Sequence, residues 1–367
     1  MRFYLNNQDL NAGITTVIKA LPPRSTNAAR EGIYIEASKD GIRLKCSDLS
    51  LQIETVVPAT VEEEGSVVLP GRIFSELVRK LQGEMTEINC ENETAVIKNG
   101  RVQTTIQGTP ADEFSSMSVL TGDIRFSLKQ CVLKDMIKQS IFATASDESK
   151  PILTGVLFEI DNEELTMVAL DGYRLALRKE EISKPLDPGS VVVPARSLAE
   201  ISRTLLDSEE STDIEITKTH VVLDMGQTRI ITRLLEGEFI KYKQILPTEH
   251  KTRVRLNRQE LSDSIERASL MAREGKSNLV KMSFSMDTLT ITANNELGKI
   301  NEEISIELIG SELDIAFNGR YFIDVLKALD DEEIYLDMNS NISPCVVRPV
   351  QGDKFYYLIL PVRLFVN

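Results

Sequence analysis

The chain has 367 residues, with 42 Lys and Arg against 56 Asp and Glu and a formal net charge of −14. That length suits two to three domains, and so acidic a balance argues against a polyanionic partner unless the charges are unevenly placed. Cys46, Cys90, Cys131 and Cys345 show neither CxxC spacing nor the density of a disulfide scaffold, so reduced thiols of a cytoplasmic protein are expected, with no metal site and no cofactor. No stretch approaches the roughly 18 continuous apolar residues of a membrane span, and Met1 to Asn6 carry no apolar leader; a soluble, unprocessed protein is expected.

In chain order, an apolar residue followed by a turn and then a helical pattern occurs at Leu5, Leu69, Leu128, Val193, Leu256 and Phe317. Apolar residues then recur at helical spacing: Leu10, Ile14, Val17 and Leu21; Ile73, Leu77 and Leu81; Leu133, Ile137 and Ile141; Leu198, Ile201 and Leu205; Leu261 and Ile265; Phe322, Val325 and Leu329. Six short amphipathic helices are predicted. Between them the period switches to two, as in Ile33 to Ala37, Ile42 to Cys46 and Leu289 to Ala293, and Asp40-Gly41, Asn99-Gly100 and Met225-Gly226 mark hairpin turns. The unit is strand, helix, then about three strands, six times over.

These six units form three pairs. Val67-Val68-Leu69-Pro70-Gly71-Arg72 returns as Val191-Val192-Val193-Pro194-Ala195-Arg196 and, loosely, as Ile315-Ala316-Phe317-Asn318-Gly319-Arg320, which puts the arginines at a constant step of 124 residues. The chain therefore reads as three copies of one domain, bounded at 1–122, 123–250 and 251–367, and the fold class is α+β with antiparallel sheets covered on one face by helices. A feature present in every copy serves the shared fold, so function is to be sought where the copies differ.

Charge is distributed unevenly among the elements. The six helical segments sum to +6, which leaves −20 for everything else. Lys and Arg on helices are often no more than a solvated face; alternatively, six quasi-equivalent helices face one common anion. Repetition favours the second reading, since phosphate contacts give affinity without sequence information.

The segment Leu170-Asp171-Gly172-Tyr173-Arg174-Leu175-Ala176, after Leu153-Thr154-Gly155-Val156-Leu157-Phe158, resembles the signature of the bacterial DNA polymerase III beta subunit family, the replicative sliding clamps, and Leu360-Pro361-Val362-Arg363-Leu364 is similar to that family's C-terminus. The resemblance runs over essentially the whole chain. It implies a non-catalytic processivity factor: a head-to-tail homodimer forming a ring of six similar domains, with twelve helices around a hole that passes double-stranded DNA. Twelve helices about 10 Å apart leave a hole roughly 28 Å wide after subtracting helix half-widths, enough for a duplex about 20 Å across. Six would not suffice. One chain alone cannot enclose DNA, whereas two can.

The resemblance also implies sites. DNA contacts are Arg24 and Lys150 by position; helix charge adds Arg72, Arg79, Lys80, Lys134, Lys138, Arg196, Arg203 and Arg320. A groove for short peptides of the polymerase III catalytic subunit, the clamp loader and other clamp-binding-motif proteins comprises Leu153, Leu170, Gly172, Tyr173, Arg174, Leu175, Ile240, Ile245, Asn318, Tyr321, Pro344, Leu358, Leu360, Pro361, Val362 and Arg363. The subunit joint implicates Arg101, Thr104 and Ile106 opposite Leu270, Met271, Glu302 and Glu303. The chain departs from the family pattern at Thr104, Leu170, Tyr173 and Ile240, and Val366 and Asn367 extend past the usual end.

Enzyme readings lack a constellation. Gly275-Lys276-Ser277 looks like the end of a P-loop, but Leu270 stands at its first glycine position; His220 and His250 are the only histidines; Asp171 fits turn chemistry. The remaining alternative is a multidomain peptide-binding scaffold that does not encircle DNA.

Overall fold

The computed structural model describes residues 1–22, 31–117, 122, 124–147, 149–183, 188–272 and 278–363. Six α-helices occur among them: α1 Asn7–Val17, α2 Gly71–Lys80, α3 Gln130–Ile141, α4 Ala195–Thr204, α5 Arg258–Ala272 and α6 Gly319–Ala328. Each follows directly on a strand, respectively Arg2–Asn6, Gly65–Pro70, Ile124–Lys129, Gly189–Pro194, Thr252–Asn257 and Leu313–Asn318. Three strands follow every helix, as expected from the period-two runs. Two short strands, Thr60–Glu63 and Glu307–Gly310, are additions the sequence pattern did not suggest.

The repeated unit does not close on itself. Arg2–Asn6 pairs with Met85–Glu91 of the second unit, while Gly65–Pro70 pairs back with Gly32–Ser38 of the first. The same exchange joins Ile124–Lys129 to Ser211–Ile216 and Gly189–Pro194 to Gly155–Asp161, then Thr252–Asn257 to Glu333–Met338 and Leu313–Asn318 to Leu279–Phe284. A helix that starts at the residue after its strand carries the chain off that sheet, so the next strands form elsewhere. Two units are thus interlocked, and neither could bury its apolar face alone.

The chain forms two compact units: one of residues 1–133, 183–187 and 196–234, the other of 134–182, 188–195 and 235–367. The first unit holds a five-stranded and an eight-stranded sheet, the second a nine-stranded and a four-stranded one. In the eight-stranded sheet, Leu51–Val57 of the first copy pairs with Thr228–Arg233 of the second; in the nine-stranded sheet, Arg174–Glu181 pairs with Phe355–Ile359. Successive copies therefore share continuous sheets.

Helices lie close on these sheets. In α1, Leu10, Ile14 and Val17 are fully buried, and a Cβ on Gly13 would come within 2.5 Å of Val57 Cγ2. Burial of each such leucine or isoleucine contributes about 2 kcal/mol. Within the second unit α5 packs on α6, and Gly319 at the start of α6 keeps room for Ser269. Among the edge strands with no further partner strand in the described residues are Val102–Gln107, at one end of the five-stranded sheet, and Lys299–Ser305, at one end of the four-stranded sheet.

Candidate functional site

All three copies build the same turn at the corresponding place. Asp48 Oδ1 accepts from the backbone N–H groups of Ser50 and Leu51, Asp171 Oδ1 from Tyr173 and Arg174, and Asn295 Oδ1 from Leu297 and Gly298, all at 2.8 to 3.0 Å. This is the local side-chain turn that Asp and Asn favour. Gly172 takes φ +94° within it. Only in the middle copy does an arginine follow and use the second carboxylate oxygen.

That arginine organises the site. Arg174 Nε donates to Asp171 Oδ2 at 3.0 Å, Nη1 to Asp324 Oδ2 at 2.6 Å and Nη2 to the Phe142 carbonyl at 2.6 Å. Its guanidinium lies 4.7 Å from the Tyr321 ring centroid, and Tyr321 stacks on Tyr173 at 6.1 Å. Burial, and Asp171 after it, raise the Tyr321 phenol pKa, which keeps the hydroxyl protonated. The Leu360 N–H donates to the Tyr173 carbonyl at 2.9 Å and the Val362 N–H to Ala316 at 2.8 Å, fixing the C-terminal stretch beside the ring pair. Asn318 caps α6 by accepting from Arg320 N–H.

The proposed groove residues divide by exposure. Leu153, Leu170, Leu175 and Leu358 are 2–5% exposed and belong to one apolar cluster with Tyr242. They form a floor. Tyr173 is 61% exposed, Ile240 43%, Ile245 48% and Leu360 37%, while Tyr321, Pro361 and Val362 are half-buried and Arg363 is exposed. Ile240 and Ile245 flank the buried Tyr242, whose hydroxyl donates to Glu159 Oε2 at 2.5 Å. Burial works against the Glu159 carboxylate, but that bond and the Lys243 ammonium outweigh it and hold its pKa below the usual range. Pro344 lines a small cavity with Pro247, His250, Arg348 and Tyr356. What results is a surface of aromatic and aliphatic side chains over a closed apolar floor, with a few fixed polar groups, suited to a short extended peptide.

The basic residues expected on helices are mostly at the surface. Arg72, Arg79 and Lys80 on α2, Lys138 on α3, Arg196 and Arg203 on α4, and Arg320 on α6 are exposed, as is Lys150 in its loop, while Lys134 is half-buried; Arg24 lies outside the described residues. Acidic neighbours include Glu200 for Arg203, Asp330 for Lys138 at 3.5 Å and Asp48 for Arg196 at 3.8 Å. The helix spans expose a pattern that residue-by-residue reasoning missed. Arg72 and Arg79, Arg196 and Arg203, and Arg320 and Lys327 form i, i+7 pairs at one step of 124 residues, every member exposed. Lys327, ion-paired to Glu266 at 2.8 Å, completes the set.

Around the Val102–Gln107 edge, Arg101 is exposed, Thr104 half-buried and Ile106 buried; at the end of α5, Leu270 is 57% exposed and Met271 half-buried. Glu302 is held within its own unit: Arg267 donates to both its oxygens at 2.7 and 2.6 Å and Ser264 to one at 2.8 Å, which lowers its pKa. Glu303 is exposed. Val102 and Leu297, 46% and 79% exposed, are apolar residues at or beside the two edge strands that the sequence reading did not single out. Val102 opens one edge strand and Leu297 lies in the Asn295 turn just before the other, so only the structure shows their exposure.

Among the described residues no cluster of His, Cys, Asp and Glu could hold a metal ion, and no helix is long and apolar enough to cross a membrane. Cys46, Cys90 and Cys345 are buried free thiols, and burial raises their pKa. The Gly275-Lys276-Ser277 segment, Val366 and Asn367 lie outside the described residues.

Comparison with known proteins places this geometry. The DNA polymerase III beta subunit matches in three consecutive parts: its N-terminal domain over residues 1–118, its central domain over 127–241 and its C-terminal domain over 243–363. The beta sliding clamp of Bacillus subtilis (strain 168) is 35% identical over 378 aligned positions, covering 100% of both chains. A crystal structure of the DNA polymerase sliding clamp from Bacillus subtilis superposes with a TM-score of 0.96 at 35% identity, covering 100% of each chain. One of a putative DNA polymerase III beta subunit from Eubacterium rectale gives 0.94 at 37% identity, covering 99% of this chain and 100% of that one.

Proposed function

Since the chain belongs to the DNA polymerase III beta subunit family, we propose that it is a sliding clamp: a non-catalytic processivity factor that encircles duplex DNA as a homodimer and tethers the replicative polymerase through the groove at Tyr173 and Tyr321. The observation that carries the DNA reading is the basic pair repeated on α2, α4 and α6. Seven residues along a helix span about 10.5 Å, so each pair offers two cations along one face, and the threefold step gives every copy the same offer. Such contacts are indifferent to base sequence, as a protein moving along DNA requires. Net charge elsewhere is negative, which limits adhesion by the outer surfaces.

The sheet ends supply the dimer. A five-stranded end in one protomer and a four-stranded end in its partner, joined through Val102–Gln107 and Lys299–Ser305, make a nine-stranded sheet, comparable with the eight and nine strands of the sheets that join successive copies within the chain. Unpaired edges invite such pairing. The contact is heterologous and closes by rotation, with Thr104, Ile106, Leu270, Met271 and Glu303 beside it. Three similar domains at 1–122, 123–250 and 251–367, doubled, give the six of a ring. Reduced cysteines and replication as the task suit a cytoplasmic location. Partners of the groove are the polymerase III catalytic subunit, the clamp loader and other proteins bearing a clamp-binding motif.

Retention on covalently closed DNA circles, with rapid loss once the circle is cut to a linear form with free ends, tests the reading. Equal retention on both forms would support a scaffold that binds peptides and never encloses DNA.

A further inference from the structure

The first compact unit contains a cleft of about 670 Å3 lined by α1, by Thr55 to Pro58, and by the chain around Leu206 and Gln227. Comparison of the copies shows why it is open. Its α1 wall is Ala12, Gly13 and Thr16, with Thr55 facing from the sheet; the positions 123 residues on are Asp135, Met136, Gln139 and Arg178. In the second copy Met136 is fully buried and Arg178, 7% exposed, donates to Gln139 Oε1 at 2.8 Å, so the corresponding space is filled. In the first copy the shorter Ala12, Thr16 and Thr55 line the cleft, while the space beside Gly13 is already closed by Val57 and Leu44. This difference between copies is not required by the shared fold.

The lining has a definite chemistry. Its only charged residues are Asp9 and Glu210, both exposed and neither ion-paired among the described residues, and no Lys or Arg lines it. Apolar surface comes from Ala12, Val56, Pro58, Met225 and Leu206, the last 59% exposed. The volume lies in the range of ligand-binding clefts. A lining of apolar side chains mixed with hydroxyl and amide groups, together with two carboxylates, complements an amphipathic cation and repels an anion such as DNA.

We propose that this cleft is a second docking site, taking a peptide segment of a partner protein in which a basic residue is flanked by apolar ones. It is distinct from the groove at Tyr173, and it does not depend on the sliding-clamp reading. Arginine or lysine provides the charge for Asp9 and Glu210, and its neighbours cover Leu206 and Met225.

The test uses the full-length protein with methyl-labelled Ala, Val, Leu and Met, titrated with acetyl-Leu-Arg-Leu-amide and with the same peptide carrying neutral citrulline in place of arginine. Methyl shifts are expected at Ala12, Val56, Leu206 and Met225, with the citrulline peptide about tenfold weaker because two exposed ion pairs are removed. Asp9→Asn with Glu210→Gln should erase that difference, and Ala12→Tyr, at an exposed helical position, should block both peptides while leaving dimer mass and melting temperature unchanged. Equal binding of the two peptides, shifts confined to other sites, or no shifts at millimolar peptide would overturn the proposal.

Discussion

Arg174 Nη1 lies 2.6 Å from Asp324 Oδ2, so a turn of the second copy is bonded to α6 of the third. The same guanidinium also holds Asp171 and the Phe142 carbonyl, and it supports the Tyr321 ring. Arg174→Ala would leave Asp324 and the Phe142 carbonyl without this donor. A loss of about 2 kcal/mol is expected, below the range for fully buried pairs because Asp324 is 31% exposed. Chemical denaturation should show it, with Asp324→Asn milder. A variant as stable as the wild type would remove Arg174 from the role assigned to it.

Tyr173 should behave in the opposite way. At 61% exposure it contributes little to stability, yet it is placed to be a peptide anchor. Tyr173→Ala is expected to weaken an apolar clamp-binding peptide by about 30-fold, in the range of an aromatic hot spot, with an unchanged melting temperature. Fluorescence anisotropy of a labelled peptide, read beside thermal unfolding, separates the two effects.

Neutralising Arg72, Arg79, Arg196, Arg203, Arg320 and Lys327 to glutamine should shorten retention on circular DNA and flatten its dependence on salt, since every phosphate that no longer meets a cation takes about 0.9 off the slope. These side chains are exposed, so the fold should survive the change. A slope equal to that of the wild type would sink the assignment of these helices to DNA.

Pairing at the sheet ends predicts a mass change. Successive backbone donors along a strand point to opposite sides, so of Gln103→Pro and Thr104→Pro one removes an outward N–H and the other an N–H bonded to Thr94–Asn99. Sedimentation equilibrium is expected to show a folded monomer for the first kind and general destabilisation for the second. Two folded dimers would rule out this edge as the joint.

The Glu302–Arg267 pair predicts a pH signature. The Arg267 hydrogen bond is the largest influence lowering the Glu302 pKa from 4.5, so the carboxylate form is favoured in the folded state. Its stabilisation is fully present above the unfolded value and is lost as pH falls through the lowered folded one. Arg267→Gln should therefore be less stable than the wild type at pH 7, with the difference closing as pH falls through the lowered folded value of Glu302. A constant difference at all pH values would mean that packing, and not the ion pair, explains the effect.

Much of this molecule was determined by its sequence alone. Helical spacing located all six helices, period two marked the hairpin strands, and the recurrence of Arg72, Arg196 and Arg320 exposed the triplication, because these signals are local and a residue's periodicity depends on its near neighbours. Tertiary structure decided what depends on distant partners. Only pairing shows that Arg2–Asn6 leaves its own unit for Met85–Glu91, that Leu153 and Leu358 meet in one buried cluster, and that Glu302 is bound by Arg267. The cleft beside α1 belongs to the same class: two copies with one pattern of apolar positions differ in open space because side-chain volume is settled across the sheet, by residues far apart in the chain.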